Sequence, residues 1–264
     1  MPDFAFAHDQ TNNNGAINVL TAGNFGPVTI TKPISIVADG VEAVINTAAD
    51  GAGITVQAGG AAVISLRGLT IDMRGTANHG IAFDSGGALH VQNCAIRKAE
   101  NGIEFTPASG TPELYVADSV IANAVESGIR VLPSGNAGAS VVLDRVRVEN
   151  GASDGIILVG SFSNGSVSAT VRDSIAAGNG GPGIFVSDVV PGTTTVMIDR
   201  SATVNNSTGI FAVGEATIRI GDSTVTGNGT GLATAPNGSI VSYETNKVDG
   251  NGTDGAPTGT TAMK

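Results

Sequence analysis

The sequence predicts an all-β fold: a right-handed parallel β-helix, a solenoid with three short strands per coil and about nine to ten coils. Three observations lead there. The dipeptide Gly-Ile, once Gly-Leu, begins at Gly53, Gly80, Gly102, Gly128, Gly155, Gly183, Gly209 and Gly231, in steps of 27, 22, 26, 27, 28, 26 and 22 residues. Each occurrence opens a short run of alternating apolar residues, the period of a strand. No stretch between these runs carries the 3.6-residue period of a packing helix, which excludes a doubly wound α/β sheet.

The elements follow in order. Residues 2–10, PDFAFAHDQ, suit a short helix with Pro2 and Asp3 near its start. Their Phe–Ala alternation suits a strand equally well. In the helical case Phe4 and Phe6 are apolar plugs over the end of a stacked core, where a terminal repeat needs a cap. Residues 17–40 hold three strand-like runs, INVL, VTITK and ISIV, punctuated by Gly23, Gly26, Pro33 and Asp39-Gly40. From Gly80 the order within a coil is legible: GIAF, a turn at 84–87, ALHV, a turn at Gln92-Asn93, then CAIRK. The next coil repeats it with GIEF, LYV and SVIA. A left-handed solenoid would need ~18-residue coils built from hexapeptides. The expected organisation is a cap over 1–14, one β-helix domain over 15–252 and a mobile tail over 253–264.

Composition narrows the function classes. Hydrophobic residues make up 41% of the chain and aromatics only 4%, so the core must be built from Val, Ile, Leu and Ala. Thirteen Lys and Arg against 23 Asp and Glu give a net charge of −10, and no basic cluster offsets it. Such a surface repels nucleic acid and anionic lipid. No apolar run reaches the ~20 residues that span a bilayer, so no membrane insertion is expected. The N-terminus has neither the basic nor the apolar region of a signal peptide. The single cysteine, Cys94, excludes an intramolecular disulfide and reads as a small buried hydrophobe. No phosphate loop opens a helix, and His8 and His90 lack companions at metal-ligand spacing, so neither a cofactor nor a metal is implied.

Stacking the repeats predicts two ladders about 4.8 Å apart per step. Asn93, Asp118, Asp144, Asp173, Asp199, Asp222 and Asn246 are assigned to the turn after the second strand. Asn and Asp suit that turn because they tolerate left-handed backbone. Arg145, Arg172 and Arg200 flank the aspartates and can neutralise them. A second ladder, Asn123, Asn150, Asn179, Asn205 and Asn228, precedes the next Gly-Ile and reads as turn chemistry as well.

Alternation also divides the first strand between core and surface. The outward parity includes Glu104, Arg130, Ile157, Val159, Phe185, Phe211 and Val213. Ile157, Val159, Phe185, Phe211 and Val213 form an apolar patch, the candidate ligand-binding residues. The longest insertions, 133–140, 161–169 and 187–195, lie in or beside those coils and either wall a groove or fold over it. Glu104 and Arg130 hold equivalent positions in adjacent coils, so an ion pair is expected. Asp84 lies close enough to share a ligand with them. Carboxylates beside an arginine can do acid–base work on a glycosidic bond, which makes Asp84, Glu104 and Arg130 the weak catalytic candidates.

The run INVLTAGNFGPVTITKPISIVADG resembles the first rungs of the pectate-lyase-like right-handed β-helix superfamily. RGLTIDMRG, GALHVQNCAIRKAENGI, LDRVRVENG and IGDSTVTGNGTGL are similar to a bacterial β-helix repeat group within it. The resemblance covers 15–255 and implies polysaccharide on the first-strand face and a location outside the cytoplasm. It does not imply one activity, because the scaffold carries lyases, hydrolases, epimerases, adhesins and inert surface proteins. The polygalacturonase pattern is missing: there is no Asp-Asp pair, and Asn78-His79-Gly80 is the nearest approach to its histidine motif. The resulting expectation is a non-catalytic, exported or surface-associated protein that binds carbohydrate or a protein subunit. A polysaccharide lyase or hydrolase, and a purely structural solenoid, stay open as alternatives.

Overall fold

Three sheets wrap one continuous apolar column. The structure is a computed structural model that describes residues 3–46, 51–74, 78–189 and 193–262. In chain order each coil adds a strand to what we call the second, third and first sheets. Among the described residues eleven strands form the second sheet, from Gly15–Asn18 to Gly259–Thr260, and ten form the third, from Gly23–Asn24 to Lys247–Val248. The first sheet, opened by the Gly-Ile steps, has nine strands among the described residues, from Val28–Ile30 to Thr230–Thr234. Neighbouring strands are parallel throughout the three sheets, the β-helix that the repeat predicted.

The isoleucine of each Gly-Ile step stacks on the next. Ile54, Ile81, Ile103, Ile129, Ile156, Ile184, Ile210 and Leu232 form one register column, each at most 4% exposed. The glycine before each has a different cause, a close approach between coils. A Cβ on Gly102 would lie 2.4 Å from Ile121 Cγ2 and 2.5 Å from the carbonyl oxygen of Gly128. Equivalent glycines face the same carbonyl of the following coil at 2.5–2.9 Å. None of the Gly-Ile glycines has a positive φ. Gly102→Ala should therefore cost about 1–3 kcal/mol through overpacking, read as a lower urea midpoint at unchanged m-value.

Both ladders exist, in a different arrangement from the expected one. Left-handed residues at the turn between second and third sheets are Asn93, Asp118, Arg145, Asp173, Arg200 and Asp222, with φ from 45° to 51° and 54°. Asp144 and Asp199 do not belong to that row: they end strands of the second sheet, aligned with Arg172. The true turn row thus alternates in sign after Asp118. Arg145 donates to both oxygens of Asp118 (2.6 and 3.0 Å) and to Asp144 (2.8 Å). Arg200 repeats the pattern on Asp173 (2.9 Å to each oxygen) and Asp199. The hydrogen bonds from these guanidinium groups hold the Asp118 and Asp173 carboxyls below the usual carboxylate range. Asn246, assigned to the same ladder, instead accepts from the backbone N–H of Ser223 at 3.0 Å.

One step further inside, hydroxyls bridge the coils. Ser119, Ser174, Ser201 and Ser223 each accept the backbone N–H of the previous coil and return a hydrogen bond to the carbonyl two residues back. Cys94 holds the same position in its own coil, buried, its thiol pushed up to about 11 by burial.

The asparagine ladder likewise divides in two. Asn123, Asn150 and Asn205 are left-handed turn residues, alongside Gly178 and Gly227. Asn179 and Asn228 point inward and join Asn206 and Asn251 in a continuous amide stack. The side-chain oxygens of Asn206, Asn228 and Asn251 also accept the backbone N–H of the preceding member at 2.9–3.0 Å, and that of Asn179 accepts the N–H of Gly151 at 3.0 Å.

The N-terminal residues form a helix, Phe4–Gln10, capped by Asp3, whose side chain accepts from the N–H of Phe6. Phe4 is buried and stacks on Phe25 at 4.8 Å. Phe6 is not a plug: the helical turn leaves it 59% exposed, and the buried partner of Phe4 is His8. His8 Nε2 accepts the N–H of Thr31 at 3.3 Å. Pro2 lies outside the described residues. At the other end, the segment expected as a tail carries Gly259–Thr260, which pair with Ser239–Ser242 in the second sheet. Residues 263–264 lie outside the described residues.

Candidate functional site

The outer face of the first sheet is one straight row. Register places Ala82, Glu104, Arg130, Ile157, Phe185, Phe211 and Ala233 side by side on successive coils. Strand spacing sets neighbours about 4.8 Å apart, so the row is charged at one half and apolar at the other.

In the charged half, Arg130 Nη1 donates to Glu104 Oε1 at 3.1 Å, the expected ion pair. Glu104 is only 8% exposed, and its second oxygen has no hydrogen-bond partner. Burial pushes its carboxyl above the ordinary glutamate range, against the opposing pull of Arg130 and, less strongly, His79. Glu100 and Glu126 add to the upward push. These three neighbours arrive from the turn before the strand, and nothing in the first-strand alternation marks them. His79 Nδ1 lies 3.4 Å from the side-chain nitrogen of Asn101, which steadies both groups at the strand start. Asp84 does not join the cluster. It points toward the preceding coil, where Gln57 Nε2 donates to its Oδ2 at 3.0 Å.

In the apolar half, Phe185 and Phe211 are half-buried and meet edge to face, centroids 5.6 Å apart at 60°. Ile157 and Val213 are half-buried beside them, while Val159 is buried at 8% exposure and belongs to the wall rather than the surface. The described parts of the insertions do not fold over this face as long loops. Ala139–Asp144, Ser166–Arg172 and Thr193–Asp199 are second-sheet strands, because their alternating residues feed the core column. What remains of 161–169 is a short bend in which Ser163 Oγ is tied to the carbonyl of Ala137 and Phe162 is 66% exposed. Residues 190–192 of the third insertion lie outside the described residues. At its start Asp188 is fully buried, with Oδ2 accepting from Thr194 Oγ1 at 3.0 Å and Oδ1 unpartnered.

No set of His, Cys, Asp and Glu among the described residues is grouped to hold a metal ion. No described helix is long and apolar enough to cross a membrane.

Comparison with known proteins agrees with the coil geometry. A family model described as "Right handed beta helix region" matches residues 128–258. No curated protein matches the chain. Among solved structures, pectate lyase Pel9A superposes at TM-score 0.63 with 16% identity, over 90% of this chain and 68% of that one. The A-module of Azotobacter vinelandii mannuronan C-5 epimerase AlgE6 gives 0.52 with 12% identity, over 95% and 90%. At such identities the likeness is one of fold. The protein folds as a right-handed parallel β-helix, and its residues 128–258 match the family model of that name.

Proposed function

We propose that the outer face of the first sheet binds carbohydrate without turning it over, in an exported or surface-associated setting. The observation that carries this reading is the Phe185–Phe211 pair, two half-exposed rings on adjacent coils in line with a half-buried ion pair. Aromatic faces pack against the C–H faces of sugar rings, and the Glu104–Arg130 pair offers hydrogen bonds to hydroxyl or carboxylate groups beside them. The polysaccharide-acting relatives of this fold lend the substrate class. Phe185→Ala with Phe211→Ala should leave the far-ultraviolet circular dichroism unchanged and weaken binding on a glycan array at least about tenfold. Equal binding by the double variant removes this reading. A shift from oligomer to monomer in light scattering, with no glycan signal in either protein, replaces it with a subunit contact through the same face.

A polysaccharide lyase or hydrolase is favoured by one specific observation, the raised and half-unpartnered carboxyl of Glu104. A carboxyl displaced in this direction is proton-loaded at higher pH than a free glutamate, which suits a general acid. Under this reading Glu104→Gln abolishes release of unsaturated or reducing ends from acidic polysaccharides. Under the binding reading neither protein releases them.

A further inference from the structure

The second sheet carries an open groove of about 810 Å³ on its outer face, near the C-terminal coils and apart from the face described above. Its floor is the row Thr170, Met197, Arg219, aligned across three coils. Along its flank the next row runs Arg172, Asp199, Gly221. The change to glycine at the last of these opens the site. A Cβ on Gly221 would lie 3.3 Å from the Tyr243 ring, so a larger residue, such as the charged ones in the preceding coils, would crowd the tyrosine out. The returning segment that contains Gly259–Thr260 closes the far end, with Thr261 in the wall.

The charges in the groove are unequal in their commitments. Arg172 is bound to Asp144 at 3.1 Å, and Arg200 to Asp173 at 2.9 Å and to Asp199. Arg219 is exposed and makes no ion pair among the described residues. Arg172, Arg200 and Arg219 line the groove with Asp199 and Asp222; Asp144 and Asp173 take up the charges of Arg172 and Arg200, which leaves Arg219 as the lining arginine without a carboxylate partner. We propose that this groove binds a small, flat monocarboxylate with an aromatic or planar body. Arg219 takes the carboxylate through its guanidinium fork, whose geometry matches two oxygens in one plane. The body lies against the Met197 thioether and the Tyr243 ring, contacts that favour a polarisable flat surface. The single uncommitted guanidinium selects one negative charge. A phosphate dianion would meet Asp199 and Asp222 with no second free cation to offset them.

The test reads the methyl group of Met197. With [methyl-13C]methionine protein, its signal is assigned by its loss in Met197→Leu, and 3-phenylpropanoate is titrated against it. A saturable shift is expected, with Kd in the millimolar range or tighter. The Kd should rise at least about tenfold in Arg219→Gln and in Tyr243→Ala, the equivalent of one carboxylate–guanidinium or ring contact. Phe185→Ala with Phe211→Ala should leave it unchanged, which separates this site from the first-sheet reading. No saturable shift with this probe overturns the proposal. So does equal binding of 3-phenylpropan-1-ol, tighter binding of phenyl phosphate, or an unaltered Kd in Arg219→Gln.

Discussion

Asn206→Ala should lower the unfolding free energy by about 2–5 kcal/mol, because it cuts the buried amide stack in the middle. The Asn206 side chain accepts from the backbone N–H of Asn179 at 3.0 Å and from its side-chain nitrogen at 2.9 Å. It donates to the carbonyl of Ala176 at 3.0 Å and to Asn228 Oδ1 at 3.1 Å. Alanine would leave the Asn179 N–H without a partner in a site water does not reach, and would remove the side-chain bonds to Asn179, Ala176 and Asn228. Each orphaned group costs about 1–3 kcal/mol. Asn205→Ala is the control one residue away. Asn205 is exposed and holds a left-handed turn at φ 56°, so the loss there is only the backbone strain of about 1–2 kcal/mol. Urea unfolding followed by circular dichroism compares the two directly. If Asn205→Ala proves the more damaging, the division of the ladder into inner and outer asparagines is wrong.

Phe105→Ala should cost about 3–5 kcal/mol, the price of a large cavity in the narrow column. Phe83 and Phe105 are fully buried and stack at 4.3 Å and 18°, between coils that place Val56 and Val131 in the same column. The coils beyond place Val131 and Leu158 in the same column, so on that side only shorter aliphatic side chains border the space, with the Phe83 ring on the other. Because a solenoid couples each coil chiefly to its neighbours, the loss should appear first as faster amide exchange in the coils around 81–131, then as a lower global midpoint. Phe211→Ala, on the half-exposed outer face, should move the midpoint less. A loss below about 1 kcal/mol for Phe105→Ala, or uniform loosening along the whole chain, contradicts this account.

The two faces of the molecule differ in how much of them was legible beforehand. The Ile81–Ile103–Ile129 column and the Glu104–Arg130 pair could be found by counting from the Gly-Ile step, because parallel in-register stacking turns sequence period directly into spatial adjacency. Counting failed wherever one residue of offset decided the outcome. Asp144 and Asp173 look equivalent in a list of aspartates, yet one closes a strand and the other occupies the left-handed turn. Asn205 and Asn206 differ in the same way, one on the surface and one in the amide stack. Phe6 was misassigned for a related reason, since in a single helical turn Phe4 and His8 share the buried side and Phe6 does not.

By itself, then, the sequence determined the architecture, the identity of the core column and the line of residues on the first sheet. These are consequences of a repeat whose energetics are nearest-neighbour and whose side chains alternate with period 2. The tertiary structure decided the rest. It assigned the glycine beat to backbone contact between coils, drew Asp84 away from Glu104, and surrounded that carboxylate with His79, Glu100 and Glu126. It also formed the Arg219 groove, which exists because residues distant in the chain, Gly221, Tyr243 and the returning 259–261 segment, meet on one sheet. Exposure, desolvation and unpaired charge depend on what the neighbouring coils and chain ends cover, and no local period encodes that.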